Sequence, residues 1–111
     1  MSDERKTRVA RNEAMYREVN ERIEEVNEAF GELTGEFTVV CECGNAGCTE
    51  QIALSGQAYE QVRADPTHFI VKSGHQASDV ESVVAYEDEY LVVEKHDGKP
   101  ARLAEKTDPR R

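Results

Sequence analysis

Apolar residues recur at Val9, Tyr16, Val19, Ile23, Val26, Phe30 and Leu33, and from Tyr16 onward the spacing alternates between three and four residues. That repeat, about 3.5 residues, predicts a helix over residues 7–30, reaching as far as 33, with one apolar stripe. Projecting the register backward puts Val9 and Asn12 in the same seam and leaves Glu13, Glu18, Glu21, Glu24, Glu25 and Glu28 mostly outside it. Gly31 and Gly35 supply the stop. A helix of about 24 residues spans about 36 Å, more than the ~26 Å implied by twice the radius of gyration of a 100-residue globule. The N-terminal turns, poor in apolar residues before Tyr16, are expected to protrude. The stripe has two possible destinations: the protein's own sheet, or another copy or another protein, with Asn12 as a register-setting polar residue.

After Gly35 the period changes to two. Phe37, Val39 and Cys41 alternate with Thr38, Val40 and Glu42, which predicts a strand running into the cysteines. Residues 49–54 (TEQIAL) read as a second, antiparallel strand. Ser55 is a natural N-cap for a short helix through about Ala64, with Leu54 and Tyr59 placed as a hydrophobic staple, and Pro66 ends it. His68–Lys72 is a short strand. Residues 80–86 and 89–95 form a hairpin turning near Glu87 and Asp88. Beyond Asp97-Gly98 little apart from Leu103 is apolar. The expected organisation is a disordered basic N-terminus over 1–7, a single domain over 8–97 and a flexible tail over 98–111.

Composition narrows what this fold can do. With 111 residues, 38% apolar and no Trp, the chain holds one lean core. Fourteen Lys and Arg stand against 23 Asp and Glu, a formal charge of −9. The basic groups gather at the ends, around Arg5, Lys6, Arg8 and Arg11 and after Lys95, so the body between them is more acidic still. A body of that sign repels nucleic acid and anionic membrane. No apolar run approaches the ~18 residues of a membrane span, and the opening residues do not resemble a secretory leader; a cytoplasmic protein is expected.

The three cysteines, Cys41, Cys43 and Cys48, lie within CECGNAGC. An odd number of cysteines without a leader argues against a disulfide framework and for thiolate ligation of a metal. Two residues of extended strand advance about 6.6 Å, whereas two sulfurs on one tetrahedral zinc lie about 3.8 Å apart. The strand must therefore curl, and Gly44, Asn45 and Gly47 are residue types that accept positive φ and can turn N–H groups toward sulfur. A fourth ligand is needed. His75 follows Gly74 in a loop after a strand and is the first choice; His68, at a strand start, and His96, beside an exposed turn, are the alternatives. Zn2+, one per chain, is the expected ion. Iron–sulfur ligation is weaker, since the nearest histidine is 20 residues from Cys48.

A catalytic zinc needs an open position and a neighbouring base, for which Glu42 or Glu50 would be available. Three thiolates, however, neutralise the ion and make it a poor Lewis acid. The chain has no HExxH, no Gly-rich phosphate loop and no HxE with PCxxC. No residue is singled out as catalytic.

The run RNEAMYREVNERIEE, then CECGNAGC, a Tyr-containing helix, RADPTHF and the Gly74-His75 pair resembles a group of small, functionally uncharacterised proteins of actinobacteria, over about residues 8–95. The resemblance implies that Cys41, Cys43, Cys48, Gly74 and His75 are a shared signature; it implies no activity. The expected fold is α+β, a long N-terminal helix packed on a small, mostly antiparallel sheet with a zinc knuckle. The expected role is a protein-interaction or regulatory module that binds another protein, or a second copy as a homodimer, through the helix. A small metalloenzyme with an open zinc site and a thiol-based metal or redox sensor are the alternatives.

Overall fold

A computed structural model describes residues 3–29 and 35–110. Phe30, Gly31 and Leu33, to which the sequence pattern assigned the end of the stripe and its stop, lie outside the described residues. The chain forms α1 (Asp3–Ala29), β1 (Glu36–Val40), β2 (Gln51–Ser55), α2 (Gly56–Arg63), β3 (His68–Val71), β4 (Glu81–Tyr86), β5 (Leu91–Lys95) and α3 (Lys99–Lys106). The α+β class and the long first helix are as expected.

The strands make two small antiparallel sheets rather than one: β1 with β2, and β3-β5-β4 with β5 in the centre. β1 pairs with β2 from Glu36 opposite Ser55 to Val40 opposite Gln51. The alternation in FTVV puts Phe37 and Val39 inside and Thr38 outside. Beyond Val40 the segment bridges the sheets. Cys41 N–H donates to the Glu50 carbonyl at 3.0 Å, prolonging the β1–β2 ladder, while Glu42 N–H donates to the Ile70 carbonyl of β3 at 2.8 Å. Cys41 to Cys43 are thus held from both sides, and α2 is capped by Ser55, whose hydroxyl accepts from Ala58 N–H at 3.1 Å. Phe37, Val39, Ile52, Leu54, Tyr59, Phe69, Ile70, Val71, Leu91 and Val93 form the apolar core, which also includes Cys41 and Cys43.

The helix turns inward a face that only partly coincides with its apolar stripe: Val9 is buried and Ile23 packs against the core, but polar residues make up the rest of the inner face. Glu13, Arg17 and Asn20 have no exposed surface, and Val9, Glu21 and Glu24 are also buried. Of the stripe, Val19 and Val26 are exposed at 40% and 57%, as is Met15 at 50%. The reason lies in what the inner face meets. Lys95 Nζ reaches Glu13 Oε1 at 2.6 Å and Glu81 Oε1 at 3.0 Å. Arg17 donates to the Pro66 carbonyl at 2.6 Å and the Ala104 carbonyl at 2.7 Å, and its guanidinium lies 4.3 Å over the Phe69 ring. Asn20 both accepts from Val40 N–H and donates to its carbonyl, each at 2.8 Å. Buried polar groups are tolerable only when partnered, and these partners come from β1, β3, β5 and α3.

Two further expectations change. The N-terminal turns do not protrude: Val9 is buried, and Arg5 pairs with Asp79 at 3.2 Å. The stretch after Gly98, expected as a flexible tail, carries α3, started by Pro100 near its N-terminus and packed through Ala104. Arg110 then pairs with Glu21, with Glu24 at 2.8 Å and with Glu60 at 2.7 Å, strapping the chain end to α1 and α2. One cation facing three carboxylates leaves one in need of a proton. Burial pushes the Glu24 carboxyl up to about 8, with the Glu60 carboxyl adding to the shift; hydrogen bonds from Arg110 and Glu24 hold Glu60 down at about 2.

Candidate metal centre

Cys41 follows directly on the end of β1, Cys43 comes two residues later, and Cys48 closes the loop, in which Cys48 N–H donates to the Asn45 carbonyl at 3.0 Å. Asn45 Oδ1 accepts from Gly47 N–H at 2.9 Å, tightening the turn. The fourth group arrives from the far end of β3. Lys72 to His75 form a turn in which His75 N–H donates to the Lys72 carbonyl at 3.0 Å and Gly74 sits at φ +88°. Glycine supplies that conformation at no steric cost. His75 is thereby aimed back at the cysteines, its Nδ1 lying 3.7 Å from Cys41 Sγ and 3.5 Å from Cys48 Sγ. Ligand atoms of Cys41, Cys43, Cys48 and His75 all lie within 4.8 Å of one another.

The other two histidines are elsewhere. His68 pairs with Glu94 at 3.1 Å and Asp65 at 3.4 Å, and His96 Nε2 lies 3.0 Å from the Ser82 hydroxyl. All three cysteines are free thiols, Cys41 and Cys43 buried and Cys48 half-buried. Burial pushes the Cys41 thiol up, as does the proximity of Cys43 and Cys48, while Lys72 N–H, donating to its sulfur at 3.2 Å, pulls the other way. Cys43 is likewise raised by burial and lowered by Asn45 N–H. Both amides stabilise thiolate over thiol. Three sulfurs gathered this tightly are costly as anions without a counter-charge, and a divalent cation supplies it.

The glycines act differently from expectation. Positive φ occurs at Gly35, Gly74 and Gly98, not in the cysteine loop. Gly44 is needed for space: a Cβ there would come within 2.5 Å of Val9 Cγ1 on α1. Two other α1 residues hold the loop. Asn12 Nδ2 donates to the Gly44 carbonyl at 2.8 Å, and the Tyr16 hydroxyl donates to the Ala46 carbonyl at 2.7 Å. Burial first, and the cysteines second, push the Tyr16 phenol up, so it remains a donor. The sequence pattern had assigned Asn12 to helix pairing and Tyr16 to the apolar stripe. Their spacing of four residues was the available signal, but nothing local to α1 indicated a loop facing it.

Glu42, which the sequence offered as a base beside an open zinc, is placed otherwise. Between two cysteines on an extended backbone it must point away from them, and it is fully buried on the opposite side. It accepts from Asn20 Nδ2 at 2.8 Å and from Ile70 N–H at 3.1 Å. Burial raises its carboxyl, against the pull of Arg63, Asn20, Ile70 N–H and Arg17. A residue so committed has no access to an ion on the cysteine side and cannot serve there as a base.

Fold and cluster together define an α+β protein with a Cys3His group able to hold a metal ion. No protein-family model, curated protein sequence or solved structure matches the chain. No helix among the described residues is long and apolar enough to cross a membrane.

Proposed function

We propose that the protein is a small cytoplasmic interaction or regulatory module built around one structural Zn2+, held by Cys41, Cys43, Cys48 and Nδ1 of His75. One observation carries the metal reading. With Zn–S near 2.3 Å and Zn–N near 2.05 Å, a tetrahedral ion separates sulfur from nitrogen by about 3.6 Å, and His75 Nδ1 lies 3.5 and 3.7 Å from two of the sulfurs. Soft thiolates with one imidazole favour zinc over magnesium or calcium. Four protein donors fill the tetrahedron, which weighs against an open-site metalloenzyme. Free thiols fit a reducing compartment. Cys41, Cys43, Cys48, Gly74 and His75 are also the signature of the actinobacterial group that the sequence resembles, and membership of that group is part of the same proposal.

The interaction surface is the outward face of α1. Met15, Val19 and Val26 are exposed there, with Arg8 and Arg11 toward one end and Glu18 and Glu25 toward the other. A second copy laid antiparallel would match the basic half of each helix to the acidic half of its partner and cover the apolar residues. Elemental mass spectrometry of untagged protein tests the metal: one equivalent of zinc is expected, reduced by His75→Ala and unchanged by His68→Ala. Folded wild type without metal would overturn it. Sedimentation of wild type against Val19→Glu/Val26→Glu tests the pairing: a dimer converted to a folded monomer is expected, and a monomeric wild type would exclude the second copy as occupant.

A further inference from the structure

A second cluster of metal-ligating side chains lies away from the cysteines. Asp65, in the turn between α2 and β3, His68 at the start of β3 and Glu94 on β5 place one ligand atom each within 4.8 Å of one another. The placement is set by backbone: His68 is directly opposite Glu94 in the β3–β5 register, so both side chains stand on one face. Asp65 is oriented by its other oxygen, which accepts from Thr67 N–H at 2.9 Å and the Thr67 hydroxyl at 2.7 Å. Those same bonds help hold its carboxyl below the usual range despite burial. The ligand-facing oxygens, Asp65 Oδ2 and Glu94 Oε2, lie 3.4 and 3.1 Å from His68 Nε2.

Those separations match a metal. Oxygen and nitrogen donors at about 2.0–2.2 Å from an ion are about 2.9–3.6 Å apart at octahedral or tetrahedral angles. The site also opens onto space. His68 lines a groove of about 280 Å3 whose other walls include Ala58, Val62, Val84, Tyr90 and Val92. An ion on three donors at its rim keeps positions free for water or for an oxygen donor in the groove.

We propose that Asp65, His68 and Glu94 form a second, exchangeable site for a borderline divalent transition metal such as Ni2+ or Co2+. It is independent of the cysteine site. Its donors are one imidazole and two carboxylates rather than thiolates, which lowers affinity for zinc relative to the knuckle and makes the ion removable. The competing arrangement is direct contact of His68 with Asp65 and Glu94 and no ion between them.

The test uses the full chain. Protein is first equilibrated with Zn2+, its bound zinc counted, and Ni2+ is then titrated in by calorimetry while zinc retention is followed. One nickel equivalent is expected, with affinity lowered at least about tenfold by His68→Ala and by Glu94→Gln. Zinc retention should be unchanged by His68→Ala and Glu94→Gln, with folding of both variants checked by circular dichroism. A wild type that binds no nickel, or His68→Ala and Glu94→Gln proteins that bind it as tightly as wild type, would overturn the site. Failure of the cysteine site would show instead as missing zinc with the His68-dependent nickel equivalent intact.

Discussion

Cys41, Glu42 and Cys43 are consecutive, yet they serve two clusters of opposite design. On one side the cysteines join Cys48 and His75; on the other Glu42 joins Arg17, Asn20 and Arg63, near Lys95, Glu13 and Glu81. The inner cluster supplies its own counter-charges: Arg17, Arg63 and Lys95 stand close to the Phe69 ring, the first at 4.3 Å and the others at 6.0 Å, with Glu13, Glu42 and Glu81 around them, although Glu13 Oε2, Arg17 Nε and Nε and Nη1 of Arg63 have no hydrogen-bond partner. The outer cluster holds only electron donors. Charge taken out of water must be compensated nearby, so the inner side draws its compensation from the chain, whereas the outer side is a donor set able to hold a metal ion. The difference teaches that a buried polar group in this protein reports its partner's origin. Where the partner is in the chain, the cluster is structural by itself; where it is not, the cluster marks a ligand.

Removing the ion should separate the two most sharply. A zinc-dependent site in so small a domain contributes on the order of 10 kcal/mol to folding, so a chelator strong enough to strip zinc, or Cys43→Ser, is expected to abolish the cooperative thermal transition seen in the zinc-loaded protein. Zinc re-addition should restore the chelated sample only. A transition unmoved by metal would place the cysteine cluster in the same self-sufficient category as the inner one.

Breaking the inner cluster should cost less and respond differently. Glu42→Ala leaves Ile70 N–H and the Asn20 amide without their acceptor and removes the negative charge nearest Arg17 and Arg63; orphaning buried charges typically costs about 3–5 kcal/mol. Chemical denaturation should show that loss at saturating zinc. Rescue by excess zinc would mean that Glu42 acts through the metal instead.

The tether between the clusters is weaker again. Tyr16→Phe removes one hydrogen bond to the Ala46 carbonyl, worth about 1 kcal/mol, and should speed zinc transfer to a chromogenic chelator while leaving stoichiometry at one. Equal transfer rates would show that α1 does not restrain the loop.

A pH dependence is also expected, in which Glu24 and Glu60, both facing Arg110, respond with opposite sign. Glu24 carries a proton in the folded chain up to about 8, against 4.5 ordinarily. Between those values the folded state binds more protons than the unfolded one, so stability falls as pH rises from 4.5 to 8. Glu60, held at about 2, contributes in the reverse sense, stability being lost as pH falls from 4.5 toward 2. The cysteine site weakens on acidification as well, because protons compete with the metal. Denaturation across pH 5–8 at saturating zinc should show the decline in wild type and a flatter profile in Glu24→Gln; parallel profiles would mean that Arg110 neutralises the whole carboxylate group.

Much of the fold follows from local rules that the chain carries in order. The alternation at Phe37–Cys41, the Ser55 cap, the strand around Phe69–Val71 and the hairpin ending in EYLVVEK all form where their own residues require, because a strand's period and a cap's hydrogen bond are decided within a few residues.

Which helix face turns inward, and what Asn12, Tyr16 and Glu42 hold, depended on residues 20 to 90 positions away. Apolar spacing ranks faces by transfer from water and is silent about specific partners. On α1 the partnered polar face is inward while Met15, Val19 and Val26 remain outside. The same holds for the third helix: KPARLAEK offers little burial of its own, and it is fixed by Arg17 reaching the Ala104 carbonyl and by Arg110 reaching Glu21, Glu24 and Glu60. The sequence by itself determined seven of the eight described elements, all but α3, and the residues competent to bind a metal, because these are matters of local geometry and side-chain chemistry. Only the tertiary structure decided that His75, and not His68 or His96, meets the three cysteines, because that choice rests on the direction in which the turn at Gly74 sends the chain.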